Sequence, residues 1–441
     1  MKENNKIKVA MICHFSNAEV REHLPLCKRR VYRLARRLLR LPEKGRGYAD
    51  IAPWDINIIQ CVKERNDIDL YVLSAHGGLK RDGVSFESGG IHYTFYRPEI
   101  ANLLRSFIPS PKEWRKFNPM AKKICRKVKE IHPDIVLLVG AENAYYSSAV
   151  LAIKSYPIYV LCQNIINNPE YVAAGAQDKI NASTELEIIR QSNYMGVYCK
   201  KHYDLLRDAG YQKFVFDFNW PTPKQQQYKP KPSDKKDYDF VNFALHMSEE
   251  KGYHDSVKAL AIVKKQYPNV KLCLIDGGPD TIRKEIKHLI AELDLQDNVI
   301  FIPFFAERKD VFQFLQSVRF AVLPCKIDNI SGTQLQCMQF GLPVVCYKTT
   351  GTPSLNKERE CVLIAEKDNI SELAEKMLVL MNDEEKANSL RNNSLDYIKE
   401  RRLRSLGNMQ RLVDNFNAIL ANYRQGIPIP EKQLFENSSQ E

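Results

Sequence analysis

Runs of apolar residues alternate with segments of helical periodicity along most of the chain. In the first half, the runs that predict buried strands lie at 7–13, 68–74, 134–140 and 158–163. In the second half, the corresponding runs lie at 239–245, 270–276, 298–304, 319–324 and 343–347. Continuous apolar strands separated by amphipathic helices predict parallel sheets that are covered by helices on both faces.

The alternation stops at 221–238, where four prolines lie among lysines and glutamines. This composition is typical of an extended linker. We therefore predict an α/β fold with two doubly wound, Rossmann-like domains, 1–220 and 239–400, which face an interdomain cleft. A long basic helix near 401–424 is expected to pack back toward the first domain and to precede a loose polar tail within 401–441.

The composition agrees with this architecture and narrows the class of protein. Of the 441 residues, 44% are apolar and 27% are charged, so a disordered or fibrous chain is excluded. The eleven cysteines are scattered and no pair has the spacing of a zinc site, which favours free thiols in a reducing cytoplasm. No apolar stretch approaches the roughly 18 residues of a membrane-spanning helix. Neither a GxGxxG fingerprint nor a P-loop sequence follows a predicted strand. The sequence therefore argues against a dinucleotide-binding enzyme and against a P-loop nucleotide-binding protein.

The segment 319–347 is the most informative part of the chain. It predicts a buried strand, a polar loop, a short helix that begins near Thr333, and a second buried strand. A helix that begins directly after a strand presents unpaired N–H groups and the positive end of its dipole, which suits a diphosphate. Ser331, Gly332 and Thr333 can supply hydroxyl and backbone donors there. Ordinary N-capping by Ser331 explains the same residues equally well.

The sequence VLPCKIDNISGTQLQCMQFGLPVV (322–345) resembles the retaining nucleotide-sugar glycosyltransferases of the GT-B fold, family four (glycosyl transferases group 1). That family carries two glutamates eight residues apart in this frame, and here Asp328 and Gln336 occupy the two positions. The resemblance implies that the first position contacts the donor sugar and the second the ribose hydroxyls. Both residues depart from the family pattern.

Two further stretches fit the same family. FALHMSEEKGYHDSVKAL (243–260) is similar to its phosphate-contacting turn, which implies phosphate roles for Lys251 and for His246 at the family's arginine position. Without the family, Lys251 is an exposed lysine at a helix start. Gly277 and Gly278 fit the family's glycine-rich turn, where backbone approaches the nucleotide. A plain strand-to-helix turn explains these two glycines equally well.

Loops in the first half supply candidates for the acceptor side. Glu142 follows a buried strand, where it is expected to touch the acceptor or the donor sugar, although a solvated loop carboxylate is the alternative. His14, Asn17 and Arg21 follow the first strand and are expected to face the acceptor. The resemblance implies a reaction in which the leaving phosphate helps to deprotonate the acceptor, so no general base is assigned.

A basic segment accounts for most of the net charge of +12. Residues 21–47 contain ten lysines and arginines against two glutamates, which gives 10 − 2 = +8. Helical periodicity places leucines on one face of this segment, within an insertion at 21–50, and arginines on the other. The arginines expected to face a membrane are Arg29, Arg33, Arg36, Arg37 and Arg40. An anionic membrane surface, packing on the first domain and binding of nucleic-acid phosphates are the three interpretations, and no nucleic-acid motif supports the last.

The resemblance predicts a glycosyltransferase that moves a sugar from a nucleoside diphosphate sugar to a saccharide or lipid-linked acceptor with retention, in the synthesis of cell-surface polysaccharide or glycolipid. It is expected in the cytoplasm, with peripheral contact to the inner face of the cytoplasmic membrane, and to need no cofactor and no metal. Two alternatives stay open. The departures at His246, Asp328 and Gln336 also fit a nucleotide-sugar-binding protein without transferase activity, and the same fold occurs in nucleotide-sugar epimerases.

Overall fold

The computed structural model of the chain describes residues 6–27, 49–173, 178–222, 231, 235–244, 247–277, 280–327 and 330–435. These residues form two units. The first lies within Met1–Lys28, Asp50–Gln225 and Arg404–Glu441, and the larger part of the second lies within Gln226–Leu403.

The first unit is built on an eight-stranded sheet. Its strands are β1 (Ile7–Cys13), β2 (Ile68–Ala75), β3 (Val84–Ser88), β4 (Ile91–Tyr96), β5 (Ile135–Val139), β6 (Ile158–Leu161), β7 (Tyr194–Val197) and β8 (Phe214–Asp217). Their order in the sheet is β3-β4-β2-β1-β5-β6-β7-β8. The hairpin strand β3 is antiparallel to β4, and the other pairs are parallel, with Ile7 opposite Ile68 and Val9 opposite Ile135.

Helices cover both faces of this sheet. They are α1 (Ala18–His23), α2 (Pro53–Lys63), α3 (Glu99–Phe107), α4 (Pro111–Phe117), α5 (Pro119–Ile131), α6 (Ala144–Ser147), α7 (Pro169–Ala173), α8 (Lys179–Gln191) and α9 (Lys200–Asp208). Alternate residues of β1 enter different cores: Val9 and Met11 belong to one apolar cluster, and Ala10 and Ile12 to the other. A strand that is buried on both sides needs apolar residues at successive positions, which is why residues 9–13 show no polar alternation; Lys8, near the start of the strand, is only half-buried.

The second unit is built on a six-stranded parallel sheet. Its strands are β9 (Tyr238–Asn242), β10 (Leu272–Asp276), β11 (Val299–Pro303), β12 (Val318–Leu323), β13 (Val344–Tyr347) and β14 (Leu363–Ala365), in the order β11-β10-β9-β12-β13-β14. The helices are α10 (Tyr253–Lys264), α11 (Asp280–Glu292), α12 (Arg308–Leu315), α13 (Gly332–Gln339), α14 (Ile370–Asn382) and α15 (Glu384–Ser405). Phe240 and Val241 point into opposite apolar clusters, so this sheet is also buried on both faces.

The C-terminal region differs from its prediction. The helix expected near 401–424 is present as α16 (Asn408–Gln425), but its predicted start is wrong, because residues 401–405 belong to the separate helix α15, which ends at Ser405. Gly407 is the N-cap of α16, and glycine is a poor residue for a helix interior. Apolar residues of α16, among them Leu412 and Phe416, complete a core cluster of the first unit.

The described residues beyond α16 include Leu434 and Phe435, which contact the first unit, so the expectation of a loose tail is wrong for these residues. Leu434 forms an antiparallel bridge with Phe216 of β8. The Phe435 ring is stacked on Tyr203, with 5.2 Å between ring centroids, and only 5% of the residue is exposed. Within the described residues, no helix is both long and apolar enough to cross a membrane.

Replacing Phe435 by alanine should destabilise the first unit by about 3 kcal/mol, because it removes a buried aromatic ring and leaves a cavity. Denaturant unfolding measures the loss. Ile427→Ala is the matched control: this neighbouring apolar side chain is exposed, and its truncation should change the unfolding free energy by less than about 0.5 kcal/mol. Equal effects of the two substitutions would contradict the anchoring of the tail.

Candidate functional site

Strand order reverses next to β9 in the second unit, and the sequence-predicted donor residues lie there. Strands β10 and β11 are on one side of β9, and β12, β13 and β14 are on the other. Helices that follow neighbouring strands at such a reversal leave a crevice at the carboxyl edge of the sheet. The loops that follow β9, β10 and β12 lead to Lys251, to Gly277 and to Ser331, so all three originate at this edge.

The turn before α10 packs directly on the end of β12. Gly252 has a φ of +72°, and a Cβ at this position would lie 2.1 Å from the carbonyl oxygen of Pro324. Only glycine fits such an approach. The backbone N–H of Lys326 donates to the carbonyl of Glu250 (2.9 Å), and the Lys251 Nζ lies 3.6 Å from the Cys325 Sγ. Lys251 is thus held against the residues that lead to position 328.

An ionic network that is buried only at Asp255 ties the same loop to two other elements. The Lys326 Nζ lies 3.0 Å from the Asp255 Oδ2 in α10 and 2.9 Å from the Asp368 Oδ1 after β14. The Tyr347 hydroxyl donates to the Asp255 Oδ2 (3.0 Å). Burial lowers the pKa of Lys326, but the hydrogen bonds to Asp368 and Asp255 outweigh it, so the pKa is raised overall. Sequence reasoning missed this network, because its members are far apart in the chain.

The N-terminus of α13 is capped by its own side chains. Ser331 is the N-cap, its N–H donates to the Gln334 Oε1 (3.0 Å), and its hydroxyl lies 2.7 Å from the Thr333 hydroxyl. The capping interpretation of Ser331 is therefore seen in the structure, and its N–H is not open to a ligand. Gly332 is exposed, and nothing lies within 4 Å of where its Cβ would be. The open side of the helix start is at Gly332.

The remaining donor-side residues are placed in part. Gly277 follows β10 and is half-buried, and Gln336 is half-buried on α13. The other sequence-predicted residues lie outside the described part of the chain: His246, Gly278, Asp328, Arg29, Arg33, Arg36, Arg37 and Arg40. Their assigned roles stay predictions.

The first unit has its own reversal, between β1 and β5. His14 directly follows β1, and Tyr145 lies in α6 after β5. The Tyr145 hydroxyl is hydrogen-bonded to the His14 Nδ1, and the two rings meet edge to face with 5.6 Å between centroids. The structure therefore brings together the loops after β1 and β5, which the sequence had assigned separately to the acceptor side.

Asn17 and Arg21 serve local structure in α1. The Asn17 Oδ1 accepts from the N–H of Val20 (3.0 Å) and so caps the helix. Arg21 forms an ion pair with Asp50 (2.8 Å) and donates to the Ser16 hydroxyl (3.1 Å). The Ser16 hydroxyl also lies 3.1 Å from the Nε2 of His76, whose pKa burial lowers to about 4. Arg21, counted in the basic segment by sequence, is paired inside the first unit.

The Glu142 side chain is half-buried, and one of its two carboxyl oxygens is out of contact with solvent. Gly140 has a φ of +77°, and a Cβ there would lie 2.7 Å from both Glu142 carboxyl oxygens. The Glu142 Oε2 is buried and has no hydrogen-bond partner among the described residues. Burial raises the pKa of Glu142 to about 8, with a further contribution from Glu185, which favours the protonated carboxyl near neutral pH.

Two more buried carboxyls lie in this unit, and sequence reasoning missed both. Asp55 in α2 is 2% exposed, its Oδ1 has no partner within the described part of the chain, and burial followed by the charge of Glu142 raises its pKa well above the usual value. Glu185 in α8 accepts from the N–H groups of Ile166 (3.1 Å) and Asn167 (2.9 Å). Burial raises the pKa of Glu185 to about 7. The apolar neighbours of Asp55 in PWDINII were the available signal.

The described residues hold no group of three or more histidine, cysteine, aspartate or glutamate side chains arranged to bind a metal.

Replacing Gly252 by alanine should cost more than about 2 kcal/mol of unfolding free energy, since the new Cβ meets the Pro324 carbonyl and the φ is positive. Thermal unfolding measures it. Gly332→Ala is the control, because the space around that residue is open and alanine favours a helix. A Gly252→Ala protein as stable as the wild type would refute the close approach.

The Glu142 carboxyl should make stability depend on pH. The unfolded chain releases this proton near the usual value of 4.5, whereas the folded chain holds it to about pH 8. The stabilisation is therefore complete below pH 4.5 and is lost as pH rises to 8, at up to about 1.4 kcal/mol per pH unit. Denaturant unfolding should be measured for Glu142→Gln from about pH 5 to about pH 9, which covers most of that loss. The unfolding free energy of this variant should fall less steeply with pH than that of the wild type.

The exposed Glu113 supplies the control for that measurement. Glu113→Gln removes a carboxylate of the same kind from the surface of α4, and its slope should match the wild type. If Glu142→Gln also keeps the wild-type slope, Glu142 is ionised in the folded protein.

Comparison with known proteins finds a similarity to a family in part of the chain. Residues 224–396 match the family model described as Glycosyl transferases group 1. An uncharacterised glycosyltransferase of Haemophilus influenzae is 28% identical over 141 residues, which are 32% of this chain and 38% of that protein. The match thus spans less than half the length of that relative.

Solved structures match over nearly the whole chain. Sucrose-phosphate synthase of Thermosynechococcus elongatus has a TM-score of 0.64 at 13% identity, covering 94% of this chain and all of that one. Anabaena HepE in complex with UDP-glucose has a TM-score of 0.63 at 16% identity, covering 93% of this chain and all of that one. The prediction of a GT-B fold with two parallel-sheet α/β domains is therefore confirmed. The second unit carries a Glycosyl transferases group 1 domain, within a chain that has the GT-B fold.

Proposed function

We propose that the protein is a glycosyltransferase that moves a sugar from a nucleoside diphosphate sugar to a saccharide or lipid-linked acceptor, with retention of configuration. The glycosyl transferases group 1 domain and the relative named a glycosyltransferase support the activity. The complex of HepE with UDP-glucose supports a nucleoside diphosphate sugar as the donor class. The synthesis of cell-surface polysaccharide or glycolipid is the setting that we propose.

The position of Lys251 is the observation that carries this proposal. Its turn is packed on the end of β12 by Gly252, at the carboxyl edge where strand order reverses. A lysine held there can neutralise the diphosphate as the glycosidic bond breaks, and charge stabilisation of this kind is usually the largest catalytic contribution. The exposed start of α13 at Gly332 adds backbone donors and the positive end of a helix dipole.

The other donor contacts in the proposal come from the family resemblance. Asp328 is assigned to the donor sugar, Gln336 to the ribose hydroxyls and His246 to the phosphates. Gly277, with Gly278, is assigned to the turn beside the nucleotide. The reaction uses no protein nucleophile, and the departing phosphate takes the proton of the acceptor hydroxyl.

The acceptor is assigned to the first unit. A protonated Glu142 can donate a hydrogen bond to a sugar hydroxyl, and its Oε2 has no partner within the described residues. The His14–Tyr145 pair joins the segments that follow β1 and β5 at the same strand reversal. We propose that these three side chains hold the acceptor.

We propose a cytoplasmic location on the state of the cysteines. All eleven are free thiols in the structure, and cysteines in secreted proteins are usually paired.

A donor screen tests the activity. Calorimetric titration with UDP, GDP and ADP and their sugar conjugates identifies the nucleotide, and product analysis with the bound conjugate identifies the reaction. Transfer to a saccharide or lipid-linked acceptor with the donor's anomeric configuration supports the proposal. Binding without transfer indicates a nucleotide-sugar-binding protein, an epimerised nucleotide sugar indicates an epimerase, and absence of binding contradicts all three functions.

Lys251→Ala should weaken binding of the nucleoside diphosphate by about tenfold to a hundredfold, which corresponds to the loss of a charge-assisted hydrogen bond. Binding of the free nucleoside should change little, because it has no phosphate. Calorimetry with both ligands measures the difference. Lys265→Ala, at the opposite end of α10, is the matched lysine control. An equal loss for nucleoside and diphosphate would remove the phosphate role of Lys251.

A further inference from the structure

Helix α3 carries an apolar stripe that faces solvent. Ile100, Leu103 and Phe107 are 53%, 41% and 72% exposed, and their spacing places them along one side of the helix. The adjoining side is apolar as well, since Ala101 is fully buried and Leu104 packs on the core. Neighbouring exposed apolar residues on a surface helix indicate a binding surface, whereas single ones are ordinary.

Helix α4 extends this surface. The indole N–H of Trp114, a fully buried residue, donates to the carbonyl of Ala101 (3.0 Å) and joins the two helices. Phe117, at the end of α4, is 49% exposed. The ammonium groups of Lys116 and Lys122 lie over its ring, 5.8 Å and 5.9 Å from the centroid. An exposed aromatic ring is thus flanked by two cations.

The charge of this region is strongly positive. Residues 97–123 contain seven lysines and arginines and two glutamates, which gives 7 − 2 = +5. Lys123 is paired with Asp82 and Arg105 with Asp178. The exposed Lys112, Lys116 and Lys122 make no ion pair with a carboxylate of the described residues. Their charge is available to an anionic surface.

We propose that this surface docks on an anionic lipid bilayer. We call it the α3–α4 patch and define it by Ile100, Leu103, Phe107, Lys112, Lys116, Phe117 and Lys122. In interfacial membrane helices, apolar side chains on one side enter the boundary of the acyl chains, and lysines contact the anionic headgroups. The patch has both kinds of side chain. Nucleic acid fits less well, because an aliphatic stripe offers it no partner.

The residues of the patch lie outside the sequence range 21–47, the basic segment that was the sequence-based candidate for membrane contact. It lies in the same unit as Glu142. The inference rests on the proposed function only for its purpose, which is to bring the protein to a lipid-linked acceptor. Vesicle binding is measured without any sugar donor, so its failure would leave the transferase proposal standing.

Co-sedimentation of the full chain with phosphatidylcholine vesicles, with and without phosphatidylglycerol, tests the patch. The wild type should bind the anionic vesicles more strongly, and less so as salt is raised. One variant removes apolar contact and should lower partition at least about tenfold: Leu103→Ser, Phe107→Ser and Phe117→Ser together. A second variant should lower it about fivefold per lysine: Lys112→Gln, Lys116→Gln and Lys122→Gln together.

A third variant is the control for the loss of three positive charges. It removes three exposed lysines of the first unit that lie outside the patch: Lys154→Gln, Lys213→Gln and Lys432→Gln together. It should bind vesicles more tightly than the lysine variant of the patch. All variants keep the arginines at 29–40, and thermal unfolding confirms that each is folded. Wild-type partition in both patch variants, or no vesicle binding by the wild type, overturns the proposal. So does a wild-type dimer that the serine variant converts to a monomer without a change in vesicle binding.

Discussion

The contact between Gly252 and Pro324 is the constraint on which the donor-side site depends. Strands β9 and β12 pair in parallel, so the segments that leave their carboxyl ends run side by side. A side chain at residue 252 would force these segments apart, because its Cβ would overlap the Pro324 carbonyl. With glycine there, the backbone N–H of Lys326 can donate a hydrogen bond to the carbonyl of Glu250. A single missing Cβ thus brings the lysine turn and the β12 loop to one place.

In the first unit, the main constraint is the free energy that it costs to bury carboxyl groups. Glu185 recovers part of that cost, since backbone N–H groups of Ile166 and Asn167 donate to it. Glu142 and Asp55 each keep one carboxyl oxygen without a partner among the described residues. A fold selected for stability alone would place apolar residues there, because an unsatisfied buried polar group costs about 1–3 kcal/mol. Such groups, concentrated near a strand reversal, favour a functional reason for their presence.

The sequence predicts the parts of the fold that are buried on both faces. Strand β1 matches its predicted range, because its residues 9–13 are buried on both sides and all apolar. The β3–β4 hairpin was missed, since half of β3 faces solvent and its pattern is short. The family frame assigned a phosphate role to Lys251, but its contact with the loop after β12 came only from the structure. The close approach of the Glu142 carboxyl to Gly140 could not be predicted, because it depends on the left-handed turn at Gly140.

The two units repeat one topology and fill it with different chemistry. In each, a strand reversal opens the carboxyl edge of a parallel sheet, which is where such folds bind ligands. The second unit offers a lysine and a helix start there, and both stabilise negative charge. The first offers a protonated carboxyl and a histidine–tyrosine pair, which exchange hydrogen bonds with hydroxyl groups. In the proposed reaction, a protonated Glu142 orients an acceptor hydroxyl by hydrogen bonding. A protonated carboxyl cannot act as a base, so the departing diphosphate removes the proton of the acceptor hydroxyl.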